Sequence, residues 1–175
     1  MAASKLVLST PCLALAAALA LPLAACSPSD PVWALPCDQR PAREVQVGTG
    51  GYGFQAADVE LLPIQQGSQG GEHIWVAVRL HGFGPEASIS FGILDAADPK
   101  TVYSGPNQQH VNLSYNTEED ASEAIGLFGY LASEYDPDTM MELPGPAGKK
   151  VILWADVIDA CTPEAVHAEA NGRVQ

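Results

Sequence analysis

Glu72-His73-Ile74-Trp75-Val76-Ala77-Val78-Arg79-Leu80-His81 is the stretch on which the reading of the fold turns. Side chains alternate along a strand with a period of two, so Ile74, Val76, Val78 and Leu80 share one face and His73, Trp75, Ala77 and Arg79 the other. The same period recurs on both sides. Glu44 to Val47 alternates, Ala87 to Leu94 does so through Ile89, Phe91 and Ile93, and His110 to Tyr115 through Val111, Leu113 and Tyr115. Lys150 to Asp159 is apolar on nearly both faces, which predicts a central strand. Glu60 to Gln65 is a short strand that Pro63 confines to an edge. Ala121 to Ala132 fits a helix through Ala124, Ile125, Phe128 and Leu131, or a strand through Ile125, Leu127, Gly129 and Leu131. Gly126 and Gly129 would each cost a helix about 1 kcal/mol, which favours the strand.

These runs, separated by turn residues, predict an all-β protein: a single antiparallel β-sandwich of immunoglobulin-like size spanning residues 42–162. Residues 163–175 read as a loosely held tail. The glycine turn Gly67-Ser68-Gln69-Gly70-Gly71 precedes the deciding strand. Gln69-Gly70-Gly71-Glu72-His73-Ile74-Trp75-Val76 is similar to a Gln-Gly-Gly-x-His-x-Trp-Val motif of uncharacterised bacterial lipoproteins, which carries no assigned activity.

Within the 175 residues, the first 25 have the pattern of a signal peptide: one early cation, Lys5, then an unbroken apolar run from Cys12 to Leu21. That run is too short to span a bilayer, which takes about 20 apolar residues. Leu23-Ala24-Ala25-Cys26 resembles the lipobox of bacterial lipoproteins. The resemblance implies cleavage before Cys26, acylation of its thiol and attachment to the membrane through that lipid. Ser27 stands where the family's inner-membrane retention signal has Asp, so the resemblance implies the outer membrane in a host that has one. Residues 26–41, with Pro28, Pro31, Pro36 and Pro41, read as an extended linker between lipid and domain.

With Cys12 removed and Cys26 acylated, Cys37 and Cys161 remain, and in an oxidising compartment a disulfide between them is the default. The bridge of an immunoglobulin domain joins two central strands around a Trp, whereas this one would join the two ends of the domain. Neither cysteine has a second Cys or a His within four residues, which argues against a metal site.

Charge narrows the partners further. The chain carries 8 basic and 21 acidic residues, and its only adjacent basic pair is Lys149 with Lys150. Phosphate neutralisation needs clustered cations, so no nucleic acid is expected as a partner. Gly48, Gly50 and Gly53 satisfy G-x-G-x-x-G, but no helix or βαβ unit follows to receive a pyrophosphate. They read as a turn or bulge, and no cofactor is expected. Glu118, Glu119, Asp120 and Glu123, then Glu134, Asp136 and Asp138, could supply oxygens to Ca²⁺ but lack the EF-hand order, so a solvated face is the simpler reading and no metal is expected. His73 and His81 share a face yet lie roughly 26 Å apart along the strand, too far to share an ion. No nucleophile elbow or H-E-x-x-H occurs, and no catalytic residue is assigned. A hydrolase would have to gather its groups from loops, as Ser88, Ser90 or Ser114 with a histidine.

What remains is the polar face of the deciding strand, where His73, Trp75, Arg79 and His81 form a candidate interaction face, since Trp and Arg concentrate binding energy at interfaces. An envelope protein or polymer is the expected partner. Arg79 should also find a carboxylate, with Asp156 on the predicted central strand the expected one. The functional expectation is a lipid-anchored, extracytoplasmic, non-catalytic binding or structural module, with an extracytoplasmic hydrolase as the alternative.

Overall fold

The computed structural model describes residues 32–175 except 59–60, 69 and 132–144. Residues 1–25, read above as a signal peptide, Cys26 and the cluster of Glu134, Asp136 and Asp138 lie outside the described residues. All regular structure described is β-strand apart from two 3-10 turns, Val32–Ala34 and Cys37–Gln39.

Two sheets share one core. The first has the order β2-β1-β5-β9-β8, built from β1 (Glu44–Thr49), β2 (Gln55–Ala56), β5 (Glu72–His81), β8 (Ser114–Asn116) and β9 (Ala121–Leu131), with β4 (Gln65–Gln66) also paired to β5. The second has the order β3-β11-β10-β6-β7, from β3 (Leu61–Leu62), β6 (Glu86–Asp95), β7 (Val102–Asn112), β10 (Lys150–Asp159) and β11 (Thr162–Val174). Ile74, Val76, Val78 and Leu80 of the first sheet are at most 1% exposed and join Ile89, Phe91, Ile93, Val151, Leu153, Ala155 and Val157 of the second. The alternation read from the sequence is therefore the core-facing pattern, and β10 is central, between β11 and β6.

Several expectations are corrected. The segment read as a loose tail is a thirteen-residue strand, β11, paired to β10 along nearly all its length. Its core-side residues Val166, Ala168 and Ala170 are too small to produce a strong hydrophobic signal, and the adjacent central strand holds them in register. β11 also pairs with β3 in parallel, so the sheets are not wholly antiparallel. His110 to Tyr115 is not one strand but the end of β7 and the start of β8, which lie in different sheets, with Leu113 at the crossing donating its N–H to the Pro85 carbonyl at 2.8 Å. Most of β7 carried no period-two signal, because an edge strand half exposed to water needs few apolar residues. Glu60 to Gln65 splits around Pro63 into β3 and β4, which serve opposite sheets.

The linker reading is also corrected from Val32 onward, because the segment lies on the domain. Trp33 packs edge-on to Tyr115 with centroids 6.3 Å apart. Cys37 is bonded to Cys161 with Cα atoms 5.4 Å apart and a sequence separation of 124. Beside this bridge the Asp159 carboxylate, 1% exposed, takes Arg43 at 2.9 Å and Arg40 at 3.3 Å. It also accepts the backbone N–H groups of Gly84 and Cys161. Four donors on one buried carboxylate supply the pairing that burial of charge demands.

Candidate functional site

The outer face of β5 is where the sequence placed its candidates, and the structure divides them. At the Glu72 end, the His73 ring packs against Trp75 at 4.7 Å and against Phe128 at 4.8 Å, and Trp75 meets Phe128 at 4.4 Å. Phe128 lies directly across from Trp75, and Tyr130 directly across from His73. His73 is 6% exposed and its Nε2 has no hydrogen-bond partner, whereas Phe128 and Tyr130 are 49% and 56% exposed. The result is a cluster of three packed rings, buried at the histidine and open to solvent at Phe128, with the exposed Tyr130 beside it across from His73.

Two glycine-dependent features hold the cluster. The turn from β1 to β2 folds over the outer face, with Gly50 at φ +133° and its carbonyl accepting the Gly126 N–H at 3.0 Å. A Cβ on Gly51 would stand 3.3 Å from the Trp75 indole, so the turn rests on that ring. The G-x-G-x-x-G segment is thus a cover over Trp75, and Ala77, on the nominally outer face, is completely buried. On the other side the Tyr130 ring lies over Gly71, where a Cβ would come within 2.7 Å of the hydroxyl.

Arg79 stands apart from these rings. Its Nε donates to Glu123 at 2.9 Å, a second nitrogen reaches Glu119 at 3.4 Å, and its guanidinium lies 4.5 Å over the Phe54 ring. Asn116 donates to the same Glu123 oxygen. The expected Asp156 partner is corrected: Arg79 and Asp156 belong to different sheets, and Asp156 instead binds His167 at 2.7 Å. Glu119 and Glu123 are in this way committed to a cation of the protein, and Tyr115 donates to Asp120. His81 lies opposite Glu44 at the other end of β5. Of the four candidates the structure brings together His73 and Trp75 and adds Phe128 and Tyr130. The signal for the added pair was present in the sequence, because the strand reading of Ala121 to Ala132 turns Leu127, Gly129 and Leu131 inward and so turns Phe128 and Tyr130 out.

Among the described residues a Ser-His-carboxylate grouping lies on the outer face of the second sheet. Ser88 Oγ lies 3.2 Å from His110 Nδ1, and His110 Nε2 lies 3.7 Å from Glu86. Ser88 and His110 are directly opposed in the ladder, which accounts for their proximity. The histidine and glutamate are both more than 60% exposed, the carboxylate is beyond hydrogen-bond length, and β6 is paired on both sides, so its amides are committed to the ladder. Catalysis of acyl transfer needs an oriented base and free oxyanion donors, and this grouping offers neither. Among the described residues no three His, Cys, Asp or Glu side chains are placed to hold a metal ion.

At the far end of the second sheet Tyr103 donates to Asp95 at 2.6 Å and accepts from Lys149 at 2.7 Å. The Tyr103 hydrogen bond holds the Asp95 carboxyl below its ordinary value, while burial and then the Asp95 bond push the Tyr103 phenol up. The tyrosine is thus kept protonated, opposite to what a catalytic phenolate would need. Comparison with family models, with curated proteins and with solved structures found no match.

Proposed function

We propose that the protein is a lipid-anchored, extracytoplasmic, non-catalytic binding module of the cell envelope, attached to the membrane through acylated Cys26, to the outer membrane where the host has one. In this reading its two sheets are an immunoglobulin-sized sandwich that meets an envelope protein or polymer at the ring cluster of His73, Trp75, Phe128 and Tyr130. The observation that carries the reading is the position of that cluster. It lies at the Glu72 end of β5, while the Cys37–Cys161 clasp and the arm from Val32 lie beyond the His81 end, roughly 30 Å away for a ten-residue strand. A domain held at one end and presenting aromatic surface at the other is arranged for contact away from its anchor. Half-exposed aromatic rings grouped on a sheet also match the composition of interface centres.

The test has two arms. Mass spectrometry of the membrane fraction should find an acylated peptide beginning at Cys26, and Cys26→Ala should release the protein into soluble fractions. Partner recovery from envelope extract should fall in Phe128→Ser/Tyr130→Ser, whose exposed positions leave the fold intact by circular dichroism. An unchanged partner list would remove the ring cluster from the reading. The hydrolase alternative, with residues assembled from loops, requires a hydrolytic activity that substitution of Ser88, Ser90 or Ser114 by Ala abolishes.

A further inference from the structure

Leu61 on β3, Arg173 on β11 and Lys150 on β10 form one row across three neighbouring strands, with Leu61 opposite Arg173 and Arg173 opposite Lys150. Strands lie about 4.8 Å apart, so the two cations are direct neighbours on one face. Like charges in this position repel. In a chain with 21 acidic and 8 basic residues, neutralising partners are plentiful. Arg40, Arg43, Arg79 and Lys149 each have a carboxylate within 4 Å. Among the described residues, neither Lys150 nor Arg173 has one.

The row borders an open cleft of about 420 Å³ lined by Ala57, Asp58, Leu61, Lys150, Asn171 and Arg173, together with the backbone of Gly172. Its size falls in the range of small-molecule sites. Its walls are chemically divided. Leu61, 55% exposed, and Ala57 supply an apolar side, while Lys150, Arg173 and Asn171 supply donors. Among the described lining residues Asp58 is the one carboxylate, and it forms no ion pair with either cation.

We propose that this cleft binds a small amphiphilic monoanion, a carboxylate whose head lies between Lys150 and Arg173 and whose short apolar chain lies along Leu61 and Ala57. The head relieves the repulsion between two neighbouring cations. The guanidinium can take the carboxylate through two parallel N–H donors, and Lys150 adds a point charge. The site is independent of the ring cluster, which lies on the other sheet.

Hexanoate is the probe, titrated into the full chain purified in an uncharged detergent and followed by amide chemical shifts. Saturable shifts are expected at Leu61, Gly172 and Arg173, weakening with added salt, and hexanol should produce none of them. Lys150→Gln and Arg173→Gln should each weaken hexanoate by about tenfold, the loss of one charge-assisted contact. Neither variant should unfold the protein, because each removes a repulsion, and an unchanged or higher melting temperature checks this. Hexanol matching hexanoate, equal binding by the Lys150→Gln/Arg173→Gln double variant, or the absence of saturable shifts would overturn the assignment.

Discussion

Arg43 reaches the Asp159 carboxylate at 2.9 Å, joining the segment that precedes β1 to the last residue of β10. The carboxylate is almost completely buried and Arg40 shares it, so both guanidinium groups depend on one anion. Removing one member of such a group leaves the others desolvated without compensation. Asp159→Asn is expected to lower unfolding free energy by about 3 kcal/mol, read from the denaturant midpoint. The same variant should expose the Trp33 arm to limited proteolysis before the sheets unfold. Resistance equal to wild type would assign the arm's attachment to the disulfide alone.

The Cys37–Cys161 bridge should contribute separately. Closing a loop whose ends are separated by 124 in sequence restricts the unfolded chain, and Cys37→Ser/Cys161→Ser should lose about 2–5 kcal/mol. Peptide mapping without reductant should recover the two cysteines in one linked pair. Free thiols in protein folded under oxidising conditions would contradict the bridge.

A double-mutant cycle distinguishes the two partners considered for Arg79. Arg79→Ala with Glu123→Ala should give a coupling energy of about 1–3 kcal/mol, since neighbours in one hydrogen-bond network are not additive. Arg79→Ala with Asp156→Ala should give additivity within about 0.5 kcal/mol. The reverse pattern would restore the partner that sequence order alone suggested.

His167 is held by Asp156 and Glu169, and the Asp156 hydrogen bond raises its pKa above the ordinary 6.5. A folded-state pKa raised above the unfolded value stabilises the protein fully below pH 6.5, and the contribution is lost as pH rises through the folded value. The imidazole resonances of His167 should therefore titrate above pH 6.5. Asp156→Asn should return the midpoint toward that ordinary value and flatten this part of the stability profile. A midpoint unaffected by the substitution would remove Asp156 as the cause.

How much of the protein was legible in its sequence follows from the range of the forces involved. Ile74 to Leu80 and Val151 to Val157 announce themselves because burying one face imposes a period of two, a local consequence visible without the partner strand. Cys37 and Cys161 could be paired in the sequence because the lipobox resemblance implies that Cys12 is removed and Cys26 acylated, which would leave two thiols. The strand β11 was hidden because Ala168 and Ala170 gain their place from β10 beside them rather than from their own hydrophobicity. Phe128 opposite Trp75 required the register between β5 and β9, and Arg79 turned to Glu123 rather than Asp156 because strand order, not strand identity, decides which side chains share a sheet. The same holds for Lys150 and Arg173, which are 23 residues apart in the chain and neighbours only because β10 and β11 run antiparallel. Periodicity, signal-like segments and cysteine count are properties of the chain and could be read from it. Which charges meet, and which rings cluster, is set by pairing energies between distant segments, and only the tertiary structure decides them.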